Sequence, residues 1–222
     1  MTQRRDFLRQ ASLLAAGSVA AAPLLAQGGT PAPAQGTSEW DMSWTTRVTG
    51  RHKMCFDAHK ISDGVCLHQV RSFLAGYGTV FNLTDADVTA VLVFRHAAIP
   101  MVFGDALWAD GKLAEEESLK DPATGEPAKR NPFINIAPGS RFHSMWPDGA
   151  LDTLISRGVI VLACDLAMRN YGGRISQWRQ IPRQDALDLT YRNIIPGVYR
   201  MPTGIFATSH AQSLGCGTLN AV

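Results

Sequence analysis

Residues 88–94 read VTAVLVF, an unbroken apolar and β-branched run whose only polar side chain is Thr89. It is too short for a helix that must bury every face, and it has the composition of a strand. A strand can be apolar along its whole length only when both faces of its sheet are covered, which is the signature of parallel sheets flanked by helices. The run stops at Arg95 and His96. A second run of the same kind, GVIVLA at 158–163, passes directly into the helix-forming stretch CDLAMRNYG. Before it, Asp152 to Arg157 reads as a helix closed by Gly158.

The remaining segments fall into the same rhythm. His52 to Phe56 is a short apolar run ending in Asp57 and reads as the first strand. Ser62 or Asp63 is placed to cap a helix in which Cys66, Val70, Phe73, Leu74 and Tyr77 recur at helical spacing. After the 88–94 strand, Pro100 suits the first turn of a helix with Gly111 beyond its end. Gln184 to Asn193 is amphipathic, Val198 to Met201 is a strand, and Pro202-Thr203-Gly204 turns into a helix ending before Gly215. A last strand covers Cys216 to Leu219. Strands alternating with helices predict a three-layer α/β fold with a mostly parallel sheet of about five strands. Residues 112–146 interrupt the rhythm with an acidic patch, Glu115 to Glu117, and the turn-rich DPATGEPAKRNPF, so they form an insertion. It reads as a lid or assembly surface, or as an inert excursion.

The N-terminus, MTQRRDFLRQ, resembles a bacterial twin-arginine export signal through Arg4, Arg5, Phe7 and Leu8. A weakly apolar stretch from Ala11 to Ala26 comes next, shorter than the roughly twenty residues of a membrane span. Residues 1–34 are therefore expected to be a cleaved leader, with processing after Ala34 or Ala26, and 35–50 a linker rich in small residues. The expected destination is the periplasm. Leaving out 1–34 removes Arg4, Arg5, Arg9 and Asp6 from the 21 basic and 19 acidic residues and leaves 18 of each. That balance offers no electrostatic footprint for nucleic acid, and no later stretch is apolar enough to predict a membrane span. Residues 51–222 read as one domain.

Ligands of open parallel sheets bind beyond the carboxyl ends of the strands. Those ends carry Asp57 and His59, then Arg95 and His96, then Cys164 and Asp165, then Thr203. Cys164 is the sharpest of them, because a thiol at a helix N-terminus sits at the positive end of the dipole, which favours the nucleophilic thiolate. Arg95 would act in the same direction and Asp165 against it. The competing reading is a small apolar core residue. His96 is a candidate base, thiolate partner or metal ligand. Arg95 suits sulfite, sulfate or carboxylate, and a salt bridge to Asp57 or Asp105 accounts for it equally.

Cys55, Cys66 and Cys216 read as packing residues, with a Cys55–Cys66 bridge as the alternative for the first two. His59, His68, His143 and His210 have no partner at metal-ligand spacing. No CxxC, Walker loop, GxSxG, HExxH or dinucleotide fingerprint is present, so no metal site and no cofactor is expected.

The stretch GVIVLACDLAMRNYG, followed by IIPGVYRMPTGIFATSHAQSLGCGTL, resembles the DsrE/DsrF-like family of sulfur-relay proteins. Cys164 matches the family cysteine, and Pro202-Thr203-Gly204, Gln212 and Gly215 match its ending. The resemblance covers roughly 50–111 and 150–222 and is specific only toward the C-terminus. It implies a five-stranded parallel sheet and a homo-oligomer in which Cys164 accepts sulfane sulfur as a persulfide. The partner would then be a small sulfur-containing anion or another sulfur-relay protein. Export and the 112–146 insertion depart from the family pattern. A non-catalytic protein binding a small ligand or copper through Cys164, Met168 and His96 is the alternative.

Overall fold

A computed structural model describes residues 39–121, 124–136 and 148–222. Residues 1–34, read above as a leader with an export signal and a cleavage point, lie outside the described residues, as do His143 and part of the 112–146 segment. Five strands form a single sheet: β1 (His52–Ala58), β2 (Val88–Phe94), β3 (Ile160–Cys164), β4 (Val198–Met201) and β5 (Gly217–Asn220). Their spatial order is β4-β3-β2-β1-β5 and every pairing is parallel. Every residue of β2 and β3 is buried, as their unbroken apolar runs require. All of β5, one of the two edge strands, is exposed, whereas β4 at the other edge is partly to fully buried.

Helices lie on both sides, so the architecture is a three-layer α/β fold. One layer holds α1 (Val65–Phe81), α4 (Leu151–Ser156), α5 (Asp165–Arg179) and α6 (Arg183–Arg192). Their buried side chains, among them Leu67, Val70, Leu154, Met168 and Ala186, meet Leu92, Phe94, Val161 and Ala163 of the sheet. The opposite layer is built from α7 (Gly204–Ser213), whose Ala207 and Ala211 meet Val91, Val93, Ile160 and Leu162. The division follows from handedness. Steps from β1 to β4 run in one direction and place their helices on one face, while the return to β5 must cross on the other.

Three local expectations need correction. Ser62 and Asp63 do not cap α1: they adopt φ of 42° and 52° in a tight turn, and the helix starts after Gly64 with no side-chain cap. The segment after β2 is not one helix led by Pro100. His96–Val102 forms a 3-10 run with Pro100 inside it, and two short helices come after it, α2 (Asp105–Trp108) and α3 (Lys112–Glu116), each entered through a glycine. Pro100 has no N–H to give an α-helical ladder, and Gly104 and Gly111 divide residues 103–116 into two short pieces.

The third correction concerns the segment read as a linker. From Ser43 to Arg47 it forms a 3-10 turn that inserts Trp44, fully buried, into the layer that holds α7. Its indole meets the His210 ring edge to face at 5.5 Å. An aromatic side chain of that size outweighs the small-residue composition around it. Among the described residues no helix is long and apolar enough to cross a membrane.

Candidate functional site

The sheet order locates the crevice. The chain leaves β3 into α5 on one face and leaves β4 into α7 on the other, so the carboxyl ends of β3 and β4 form the point where successive connections diverge. Crevices of this kind hold the ligands of open α/β sheets. Cys164 is the last residue of β3, pairs in register with Met201 at the end of β4, and serves as the N-cap of α5. Across the crevice the Leu166 N–H donates to the Pro202 carbonyl at 3.4 Å. The thiol beneath is 6% exposed.

Arg95 and Asp57 complete this edge. The Arg95 guanidinium donates Nε to Asp57 Oδ1 at 2.7 Å and Nη2 to Oδ2 at 2.8 Å, the forked geometry that suits two planar ions. Of the two partners weighed from sequence, Asp57 is the one taken; Asp105 instead receives Arg130. The Asp57 hydrogen bonds, aided by the nearby Cys164 sulfur, raise the Arg95 pKa against the opposing effect of burial. Gly204 makes the approach possible, since a Cβ there would lie 2.6 Å from Cβ of Arg95.

Asp165 is buried and is already neutralised. It receives Arg169 Nε at 2.5 Å and lies 3.4 Å from Nη1 of Arg200. Arg200 is itself stacked over the rings of Tyr191 and Trp40. The negative charge beside Cys164 is therefore balanced within the protein. Thr203 is the N-cap of α7, its hydroxyl accepting from the Phe206 N–H at 3.0 Å. His59 is half-buried just beyond β1, with a buried Nδ1 that makes no hydrogen bond.

His96 goes elsewhere. It is the first residue of the 3-10 run and adopts φ of 49°, which costs a non-glycine residue roughly 1–3 kcal/mol. It lines a separate cleft of about 350 Å³ together with Ala97, Glu116, Glu117 and one face of α5. That face consists of Ala167, Asn170, Tyr171 and Arg174, whose spacing places them on one stripe. Burial raises the Glu117 carboxyl above its ordinary pKa, although the Tyr171 hydroxyl donates a short hydrogen bond to it. Arg174 lies over the Tyr171 ring and pairs with Glu116 at 2.8 Å.

Sequence reasoning did not assemble this cleft. The Glu115–Glu117 patch and the helical stripe were both visible, but Tyr171 meets Glu117 across 54 residues, and no local signal reports such a contact.

All four cysteines are buried: Cys164 shares a core cluster with Cys66, and its exposure of 6% equals that of Cys216. Burial pushes the Cys55 and Cys66 thiols up to about 12 and raises that of Cys216. Cys55 and Cys66 occupy opposite layers of the sheet, which rules out the bridge between them, and all four thiols are free. Among the described residues no three His, Cys, Asp or Glu side chains gather into a metal-holding group. Met168 is fully buried in the core, whereas His96 is exposed on the cleft.

No protein-family model matches the chain, and neither does any curated protein or solved structure.

Proposed function

We propose that the chain is an exported, DsrE-like sulfur carrier that acts in the periplasm as an oligomer and holds sulfane sulfur on Cys164. The observation that carries the reading is the position of Cys164 at the divergence of β3 and β4, where it caps α5 close to the Arg95 guanidinium. The start of α5 and the Arg95 guanidinium suit an anionic sulfur donor arriving at this edge of the sheet. The low exposure of Cys164 suits a thiol that must survive in an oxidising compartment.

Loading is a displacement. The Cys164 thiolate attacks a sulfane sulfur of an inorganic polysulfide, a new S–S bond forms, and the electron pair of the broken S–S bond leaves with the shortened polysulfide. No outside oxidant is required. Unloading reverses the roles: an acceptor thiolate takes the outer sulfur and Cys164 departs as thiolate. Arg95 and Asp57 are positioning residues, with Asp57 holding the guanidinium at the same edge of the sheet as Cys164.

The soft-metal alternative receives less support. Its three ligands are divided between a buried core position, Met168, and an exposed cleft position, His96.

Intact-mass measurement of the purified chain treated with sodium polysulfide tests the proposal. The expected result is a gain of one sulfur, reversed by dithiothreitol and lost in Cys164→Ser. No gain, or a gain that persists in Cys164→Ser, overturns it.

A further inference from the structure

The cleft beside His96 plays no part in the sulfur reading. It is assembled by three separate segments: the strained turn after β2, the end of α3, and the stripe of α5 formed by Ala167, Asn170, Tyr171 and Arg174. About 350 Å³ is at the lower end of the range for small-molecule sites. Its polar groups are incompletely matched among themselves. Arg174 is committed to Glu116 at 2.8 Å and stands 4.0 Å from Glu117. Tyr171, itself buried, donates to Glu117. Both contacts to Glu117 fall on Oε1, and among the described residues Oε2 accepts no hydrogen bond, so it is the acceptor that faces a ligand in the proposal below.

With Glu116 balanced by Arg174, the cleft keeps the charge of one carboxylate, and that side chain is only 14% exposed. Among the described residues, two further polar side chains of the cleft make no side-chain hydrogen bond: His96, which accepts when its imidazole is neutral, and Asn170, which accepts through its amide oxygen. A carboxylate oxygen, a ring nitrogen and an amide oxygen from three different segments match the three N–H donors of a primary ammonium in number and charge. An anion would meet the Glu117 carboxylate, and an apolar solute would leave that carboxylate unsatisfied.

We propose that this cleft binds a small organic primary ammonium, held by Glu117 Oε2, His96 and Asn170. The ammonium belongs to an amino acid or to a polyamine. In the amino acid, the carboxylate lies toward Arg174; in the polyamine, no such partner is used. Binding here is independent of Cys164, which does not line the cleft.

The test is titration of the isotope-labelled full chain with 1,4-diaminobutane, with glycine and with tetramethylammonium, read by the ring resonances of His96 and Tyr171. Tetramethylammonium has the charge without N–H donors and serves as the control. The expected result is saturable binding of diaminobutane or glycine but not of tetramethylammonium, weakened about tenfold or more by Glu117→Gln. Glutamine keeps the size and the acceptor for Tyr171, so the fold is retained, and an unchanged thermal midpoint without ligand checks this. The stronger of the two amines identifies the source. Equal responses to all three solutes, no saturable response, or full binding in Glu117→Gln overturns the proposal.

Discussion

At the end of β2 the chain turns through Arg95 into the crevice between β3 and β4 and through His96 into the neighbouring cleft, and the two places are built on opposite lines. Around Cys164 every charge is matched inside the protein: Arg95 forks onto Asp57, and Asp165 is held by Arg169 and Arg200. Around His96 the backbone is strained and one oxygen of a half-buried carboxylate is left over. A closed, balanced crevice protects a single reactive atom, whereas an open and unbalanced cleft selects a solute. A perturbed carboxyl and a strained residue lining one cavity mark the second place by the usual signs of a functional site, and the first place carries only its position in the topology.

The sharpest way to break this contrast is to unpair each region in turn. Asp57→Ala leaves the part-buried Arg95 without its partner and is expected to cost about 1–3 kcal/mol in urea unfolding. Glu116→Ala, at the exposed rim of the cleft, is expected to stay within about 0.5 kcal/mol. Comparable losses would show that the two regions are not differently built. Gly204→Val comes next: the added side chain collides with Arg95, at about 1–3 kcal/mol, and its displacement should slow sulfur loading of Cys164 while leaving diaminobutane binding in the cleft unchanged.

The smallest effect concerns pH. Burial holds the Glu117 pKa in the folded chain above its ordinary value of 4.5, so in that interval the folded chain keeps a proton that the unfolded chain releases. The resulting stability is fully present below about 4.5 and is lost as pH rises through the raised folded value. Tyr171 and Arg174 from α5 and the neighbouring Glu116 face the same carboxyl and set how far it is raised. Thermal midpoints of Glu117→Gln and the parent chain across pH 4 to 8 should differ in slope within that window and run parallel above it. Identical slopes would remove Glu117 as the titrating group.

How much of the fold and of the two sites was legible in the sequence depends on how local their causes are. The boundaries of β2 were readable to the residue, because a covered strand shows its burial in every side chain; β4 was legible too, although only Met201 of its four residues is fully buried. The placement of Cys164 at a strand-to-helix junction was equally plain. The sheet order was not, since nothing local tells a fifth strand to pass back to the far side of β1, and so the special status of the β3–β4 crevice was hidden as well. Trp44 was lost among small residues whose composition favours a linker. Ser62 and Asp63 have the chemistry of helix caps, but their positive φ excludes that role. The pairing of Arg95 with Asp57 was one of two choices, and only the parallel register of β1 with β2, which places Ala58 against Phe94, decides it.

The central claim is that the sulfur chemistry belongs to the crevice at Cys164 and not to the cleft one residue away. It is tested most directly by the rate at which polysulfide loads Cys164 in three chains: the parent, the Asp57→Asn/Arg95→Gln double variant and Glu117→Gln. The expected result is loading slowed about tenfold or more in the double variant, which keeps polar groups of similar size but loses the guanidinium and the carboxylate that holds it, and unchanged in Glu117→Gln. Loading that falls in Glu117→Gln and holds in the double variant would contradict it.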